Sequence, residues 1–460
     1  MMRITLVHIV DCIPSYETYC SKRILSFMHV FFAGIGGTGI SPLAQIAHEA
    51  GIIVSGSDKQ STQYIDYLKD HGITDIHIGR GREPVAAVHQ ASPIDWFVYS
   101  SALTLENPNA PELVFCQEKG IKTSKRDELI NYLIEEKQLQ LIAIAGTHGK
   151  TTTTAMVIWL FKQLGLPISY SLPAKVSFGD MGSYANGSRY FVYEADEFDR
   201  NFLAFKPHLS LISGVSWDHH EIYPTRENYQ AAFRKFISQS QETLLWQEDA
   251  SYLGLNDAIP HLQILSSSQP TIENLKLMGH YNRLDGWLAL QAVHHITHRP
   301  LPQLVEIINQ FPGLQRRMEQ IIPGLYSDEA HTPDKIRGGL SVALEIAAQK
   351  NQPVVVIYEP LTNRRQHYMI DDYKDCFTGV EKVYWLPSYL AREDPSQRII
   401  PPSEMISHLS DPKIAEPAER DNNLRLTIQK HLADGAMVVG MAGGGGGSLD
   451  EWLRREFRPV

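Results

Sequence analysis

The run AGTHGKTTTTAMV, Ala145 to Val157, holds the parts of a phosphate-binding loop. Gly146 and Gly149 flank Thr147 and His148, and Lys150, Thr151 and Thr152 open the helical stretch that follows. Glycines let backbone N–H groups close around phosphate oxygens, the lysine neutralises β- and γ-phosphate charge, and the Thr151 hydroxyl is a ligand type for Mg2+. A threonine-rich helix start that merely caps itself is the plain alternative, and it does not account for these three parts standing together. The common triphosphatase pattern G-x-x-x-x-G-K-[ST] asks for a glycine at position 144, where Ile144 stands.

Three more clusters carry chemistry. GIGGTG, the residues Gly34, Ile35, Gly36, Gly37, Thr38 and Gly39, fits G-x-G-x-x-G at Gly34, Gly36 and Gly39, with Asp58 closing the next apolar run. That spacing brings a nucleotide diphosphate to backbone N–H groups at a helix start, and it fits a nicotinamide dinucleotide or an empty tight turn as well. EADEFD delivers Glu194, Asp196, Glu197 and Asp199 after one apolar run, and SWDHHE delivers Asp218, His219 and His220 after another. An acidic surface turn and a structural histidine are the ordinary readings. In the same unit as the phosphate loop, Glu194 and His219 become candidate ligands of a metal ion shared with Thr151.

The elements that must position these residues follow from the apolar periodicity. HVFFAGIGG, IIVSGSD and DWFVYSSA read as strands, with SPLAQIAHEAG and QYIDYLKDHG as helices between them. LQLIAIAGTHGK, YFVYEADEFD and LSLISGVSWDHHE open a second unit, and PVVVIYEP, VEKVYWLP and AMVVGMAGG mark a third after FPGLQRRMEQ. Strands alternating with helices predict an α/β fold with parallel sheets covered on both faces and ligands at the carboxyl edges. The boundaries expected are an N-terminal extension at 1–27, a Rossmann-like domain at 28–138, a central domain with a mainly parallel sheet at 139–312 and a C-terminal Rossmann-like α/β domain at 313–460. SKRILSFMHVFFAGIGG imitates a signal peptide but runs into a glycine loop without an A-x-A site, so it is read as an appended segment leading into the first strand, in keeping with a start codon assigned too far upstream.

Composition sets the outer limits. The 460 residues are 43% hydrophobic and 20% charged, which is globular composition. A net charge of -10, with no Lys/Arg block, argues against a nucleic-acid partner, so an anionic substrate must be held locally. Cys12, Cys20, Cys116 and Cys376 form no CxxC pair, which predicts unpaired thiols in a reducing compartment and no zinc site. No membrane span is expected, because 18 apolar residues never run together.

In this order the motifs resemble those of the Mur ligases, in the branch that joins amino acids or peptides to UDP-N-acetylmuramic acid (UDP-MurNAc). The resemblance covers the chain from about Met28 to its end. It is carried by GIGGTG, SGSD, SSAL, AGTHGKTTTTAM, EADEFDRNFL, DHHEIYP, GHYNRLD, RRME and DEAHTP. The phosphate loop of that family is G-T-x-G-K-T-[ST], so Ile144 is no defect. The resemblance implies a cytoplasmic, ADP-forming ligase of peptidoglycan synthesis, monomer or homodimer, in which the lactyl carboxylate of UDP-MurNAc takes the γ-phosphate of ATP and the acyl phosphate is captured by an amine.

It implies roles residue by residue. The first domain binds the UDP substrate through Gly34 to Gly39, Asp58, Ser100 and Ser101. Gly146 to Thr152, Asn282, Arg317 and Asp328 bind ATP, while Lys150, Glu194, His219, Arg317 and His331 do the chemistry, with Mg2+ on Thr151, Glu194 and His219. Arg365 meets the carboxylate of the amine. Departures from the family pattern are Tyr281 and Asp285 in place of His and Asn, Gly214 where Asn often stands, and Glu329 in place of Tyr. Phe233 occupies the neighbourhood where some relatives carry a carbamylated lysine, and the stretch Glu242 to Gly279 is short for the central domain. The amine is expected to be L-alanine, the obligatory first addition of the pathway. The alternative is the recycled tripeptide, because YEPLTNRRQ keeps only Arg365 of the L-alanine branch's Q-P-H-R-x-T-R pattern. A non-catalytic nucleotide-binding relative and a nicotinamide oxidoreductase are the remoter readings.

Overall fold

The runs HVFFA, QLIAIA, VVVIYE and MVVGMA are buried on both faces, and for that reason they are almost wholly apolar. A computed structural model describes residues 28–457 except 221, 391, 392, 394, 395, 445 and 446. The extension 1–27, with Cys12 and Cys20, and part of the glycine run 443–447 therefore lie outside the described residues.

Three sheets follow one another along the chain. The first contains β1 (His29–Ala33), β2 (Ile53–Asp58), β3 (Ile76–Ile78), β4 (Trp96–Tyr99) and β5 (Lys122–Lys125), in the order β3-β2-β1-β4-β5. Next come β6 (Gln140–Ala145), β7 (Ser169–Ser171), β8 (Gly182–Ser183), β9 (Tyr190–Glu194), β10 (Leu209–Ile212), β11 (Glu242–Trp246) and β12 (Leu262–Leu265), ordered β12-β11-β10-β6-β9-β7-β8. The last sheet holds β13 (Glu319–Ile322), β14 (Leu325–Asp328), β15 (Val354–Glu359), β16 (Lys382–Trp385), β17 (Ala415–Pro417) and β18 (Met437–Ala442), ordered β13-β14-β18-β15-β16-β17. Pairing is parallel in the heart of each sheet, as the alternation of runs predicts, while β7–β8 and β13–β14 are antiparallel additions at the edges.

Among the described residues, 28–36 form one compact unit with 47–124, and 37–46 form the other with those from 125 to 457. The second and third sheets thus share a unit.

Period-two alternation divides β15 between two cores. Val354, Val356 and Tyr358 pack with Ile336, Leu340 and Ala343 of the helix Pro333–Gln349, and Val355 and Ile357 pack with Leu424, Ile428 and Leu453 on the opposite face. In the second sheet Ile142 and Ile144 pack against the helices Lys150–Gln163 and His280–Thr297. Burying both faces fixes the register of each strand, and so fixes which residue arrives at the carboxyl edge. Cys116 and Cys376 are buried free thiols. No helix among the described residues is long and apolar enough to cross a membrane.

Candidate active site

In the first unit the glycine loop leaves β1 where strand order reverses between β1 and β4, the crevice at which open α/β sheets take ligands. Gly34 has φ +75°, and its N–H and that of Ile35 donate to the Ser57 carbonyl at 2.8 and 3.1 Å. The Gly36 N–H donates to Asp58 Oδ2 at 2.8 Å, so the buried Asp58 braces the loop from the end of β2. A Cβ on Gly36 would lie 2.7 Å from Thr62 Oγ1 and 3.0 Å from Asp58 Oδ2. Ser100 and Ser101 follow β4 at the same edge as Gly34, because β1 and β4 are parallel neighbours. Gly37 and Thr38 are exposed, and Gly39 leads to the helix Ser41–Glu49.

β6 occupies the corresponding position in the second sheet, with β10 on one side and β9 on the other. The loop it delivers is tied down from both flanks. Thr147 N–H donates to the Gly214 carbonyl at 2.7 Å, Thr147 Oγ1 donates to the Ser216 carbonyl at 2.7 Å, and Ser213 Oγ donates to the His148 carbonyl at 2.5 Å. Gly149, at φ +76°, turns the chain into the helix that opens with Lys150. Lys150 Nζ donates to the Gly146 carbonyl at 2.6 Å and to Glu197 Oε2 at 2.7 Å. Burial opposes the Lys150 charge, but Glu197, Asp196 and Glu194 outweigh it and hold the ammonium above the usual lysine range.

The carboxylates divide into two sets. Glu194 Oε2 accepts from Thr151 Oγ1 at 2.8 Å, and burial pushes its carboxyl up against the opposing pull of Lys150 and Thr151. Glu197, 1% exposed, lies at the Lys150 ammonium and 3.5 Å from His219 Nε2; burial opposes its charge, but Lys150 and His219 together bring its pKa down to about 2. Donor atoms of Asp196, Glu197 and His219 lie within 4.8 Å of one another. Sequence reasoning singled out Glu194 and His219; the geometry puts Glu194 with Thr151 and sets His219 beside Glu197. The oxygen donors Thr151, Glu194, Asp196 and Glu197 suit a hard cation such as Mg2+, and His219 is the one donor less typical of it.

The third sheet brings the remaining residues to the same unit. Asp328, at the end of β14, accepts from the N–H groups of Met318 and Ala330, both at 2.9 Å, and so holds the turn that carries Arg317. Arg317 Nη1 pairs with Glu329 at 3.2 Å, and its other ionisable neighbours include Asp328, Glu194 and Asp285. His331 Nδ1–H donates to the Glu329 carbonyl at 2.7 Å; burial, then Lys335 and Arg365, depress its pKa and leave a neutral imidazole. A cavity of about 540 Å³ is lined by apolar residues such as Met156, Phe311 and Leu314 and by as many polar ones, Thr152, Lys175, Asn282 and Arg317 among them, a mixture that can take a nucleotide. Asn282 Nδ2 donates to the Met278 carbonyl at 2.8 Å, which fixes its orientation.

Two contacts were not anticipated. Arg365, expected at the amine, grips Asp218 with a fork, Nε to Oδ1 at 3.1 Å and Nη2 to Oδ2 at 3.2 Å. Asp285 accepts from Thr153 Oγ1 at 3.1 Å and fills the space beside Gly149 where a Cβ would go. Burial pushes Asp285 well above the ordinary 3.8, and Thr153 and Arg317 offset this only in part. A carboxyl that keeps its proton in the folded state and sheds it on unfolding makes stability fall as pH rises above about 4 and through the folded value. Asp285→Asn retains the shape and an acceptor for Thr153, so its melting temperature should gain on that of the parent as pH rises above about 4. Parallel pH profiles of the two proteins would contradict the neutral acid.

With the geometry in hand, comparison with known proteins is direct. Residues 29–138 match the family profile "Mur ligase family, catalytic domain", and 144–263 match "Mur ligase middle domain". The UDP-N-acetylmuramate–L-alanine ligase of Campylobacter curvus is 31% identical over 391 residues, 80% of this chain and 86% of that protein. Among solved structures, the UDP-N-acetylmuramate–alanine ligase of Thermotoga maritima aligns with a TM-score of 0.71 at 23% identity, over 93% of this chain and 98% of that one. A murein peptide ligase of Psychrobacter arcticus aligns at 0.62 and 19%, over 94% and 99%. The order of the motifs, the phosphate loop between β10 and β9 and the 31% identity across four-fifths of the chain agree: this protein belongs to the Mur ligase family of ATP-dependent ligases.

Proposed function

We propose that this ligase joins L-alanine to the lactyl carboxyl group of UDP-MurNAc, consuming ATP and releasing ADP and phosphate in the cytoplasm. The observation that carries the reading is the setting of Lys150, bound to the phosphate loop and to Glu197 beside Thr151, Glu194 and His219, in a chain whose 31% relative bears that activity as its name. Transfer of a γ-phosphoryl group to a carboxylate needs charge neutralisation and the exclusion of water more than a covalent nucleophile. Lys150 and Arg317 are the cations assigned to the transferring group. Mg2+, when bound at Thr151, Glu194 and the Asp196–Glu197–His219 cluster, would supply further neutralisation of phosphate charge. Asp328 positions Arg317, and the neutral His331 is assigned to the site from the third sheet.

ADP release measured with UDP-MurNAc and a panel of amines tests this function. L-Alanine should be the amine that stimulates release, and stimulation by L-Ala-γ-D-Glu-meso-diaminopimelate in its place would reassign the substrate. The glycine loop of the first unit is assigned to the UDP substrate. Gly36→Val, whose added atoms collide with Thr62 and Asp58, should raise the KM for UDP-MurNAc about tenfold or more and leave that for ATP nearly unchanged, because the two nucleotides belong to different sheets. A comparable loss of ATP affinity with the KM for UDP-MurNAc unchanged would reverse the assignment.

A further inference from the structure

A second cavity, of about 160 Å³, opens beside the phosphate loop and is distinct from the slot at Asn282. Its loop residues are Thr147 and His148, and Lys150 is near enough to repel the Lys335 ammonium in its lining. Trp217, His220 and Tyr368 form an aromatic wall: His220 stacks on Tyr368 at 4.5 Å and 3°, and Trp217 meets His220 at 4.4 Å. The charges around this cavity do not balance. Asp218 is taken by the fork of Arg365, and Asp334 by Arg337 at 2.8 Å. Arg226, over the Trp217 ring, and Asp372 are exposed.

That leaves Lys335, in the first turn of the helix Pro333–Gln349, as the partly buried charge of the lining. Its ammonium has no hydrogen bond or ion pair among the described residues. Asp218 and Glu329 attract it without direct contact and do not offset burial and the repulsion of Arg365; a desolvated cation so placed is costly unless something anionic arrives to meet it. Arg365 does not line the cavity, and its fork already serves Asp218.

We propose that Lys335 is the group that holds the carboxylate of the incoming amino acid, in the cavity walled by Trp217, His220 and Tyr368, while Arg365 acts behind it by fixing Asp218. This rests on the ligase reading above and names the specificity-determining cation of its amine site. Burial and Arg365 lower the Lys335 pKa to about 8, which still leaves it mainly protonated at neutral pH. A carboxylate held there leaves the amino group of a small amino acid directed along the cavity toward the phosphate loop.

The test compares Lys335→Met and Lys335→Arg with the parent, using L-alanine and L-alaninamide as paired amines. The parent should prefer L-alanine. Lys335→Met should raise the KM for L-alanine about 10- to 100-fold and shrink the preference over the amide toward one, with the KM values for ATP and UDP-MurNAc changed less than about twofold. Lys335→Arg should recover most of the loss. An unchanged preference, a rise in the ATP KM instead, or a fall in kcat with L-alanine KM unaltered would overturn the assignment. Calorimetric titration of L-alanine into the enzyme with UDP-MurNAc and a non-hydrolysable ATP analogue separates this from the parent reading. Binding lost in Lys335→Met supports the residue even if turnover uses another amine, and equal binding in parent and variant removes it.

Discussion

Lys150→Ala is expected to reduce ADP formation about 10²-fold or more, the usual cost of removing one charge contact made in a phosphoryl-transfer transition state. The same change should also destabilise the fold. Glu197 is 1% exposed and has its shortest contact with the Lys150 ammonium at 2.7 Å, and breaking a buried pair on one side costs about 3–5 kcal/mol because the other charge stays behind. Adding Glu197→Gln removes that stranded charge. The double variant should therefore melt close to the parent and remain inactive, which separates the catalytic loss from the structural one. Wild-type turnover in Lys150→Ala would remove the lysine from the mechanism, and a double variant no more stable than the single one would remove the buried pair.

Gly214→Asn should be nearly as damaging, although asparagine is the residue the family often carries there. Gly214 has φ +151°, and an added Cβ would overlap the His148 imidazole of the phosphate loop. Its carbonyl also accepts the Thr147 N–H. Backbone strain of about 1–3 kcal/mol and overpacking of about 1–3 kcal/mol add at this point, and the loop must move to relieve them. The KM for ATP should rise about tenfold or more, with a lower melting temperature. His148→Ala in the same chain should recover part of both, since it vacates the space. A Gly214→Asn enzyme with parental ATP affinity would mean that the loop does not depend on this packing.

Much of the architecture was legible because buried parallel strands are written as almost wholly apolar runs. HVFFA, QLIAIA, VVVIYE and MVVGMA became β1, β6, β15 and β18, and the chemistry-bearing residues follow such strands at their carboxyl ends. The pairings inside the site were not legible. In EADEFD the strand stops at Glu194, and Asp199 and Arg200 both take left-handed backbone at φ 53° and 58°, so strand periodicity no longer says which acid faces Lys150. Glu197 occupies that position. Asp218 and Arg365 are 147 residues apart, and Thr153 and Asp285 are 132 apart; no local pattern records such contacts. Lys335 reads in sequence as an ordinary helix-surface lysine, and only the cavity beside it separates it from one. The departures Asp285 and Gly214 acquired physical sense in the same way, one as a neutral carboxyl against Gly149 and the other as the space occupied by His148.

The central claim is that the carboxylate of UDP-MurNAc is activated by taking the γ-phosphoryl group of ATP before an amine displaces it. Labelling that carboxylate with oxygen-18 and following turnover with ATP and L-alanine tests it most directly. One labelled oxygen should leave with each inorganic phosphate as the amide forms, because the oxygen bonded to phosphorus is the one expelled from the acyl carbon. Amide formation with unlabelled phosphate, or ADP release with no amide, would contradict the account.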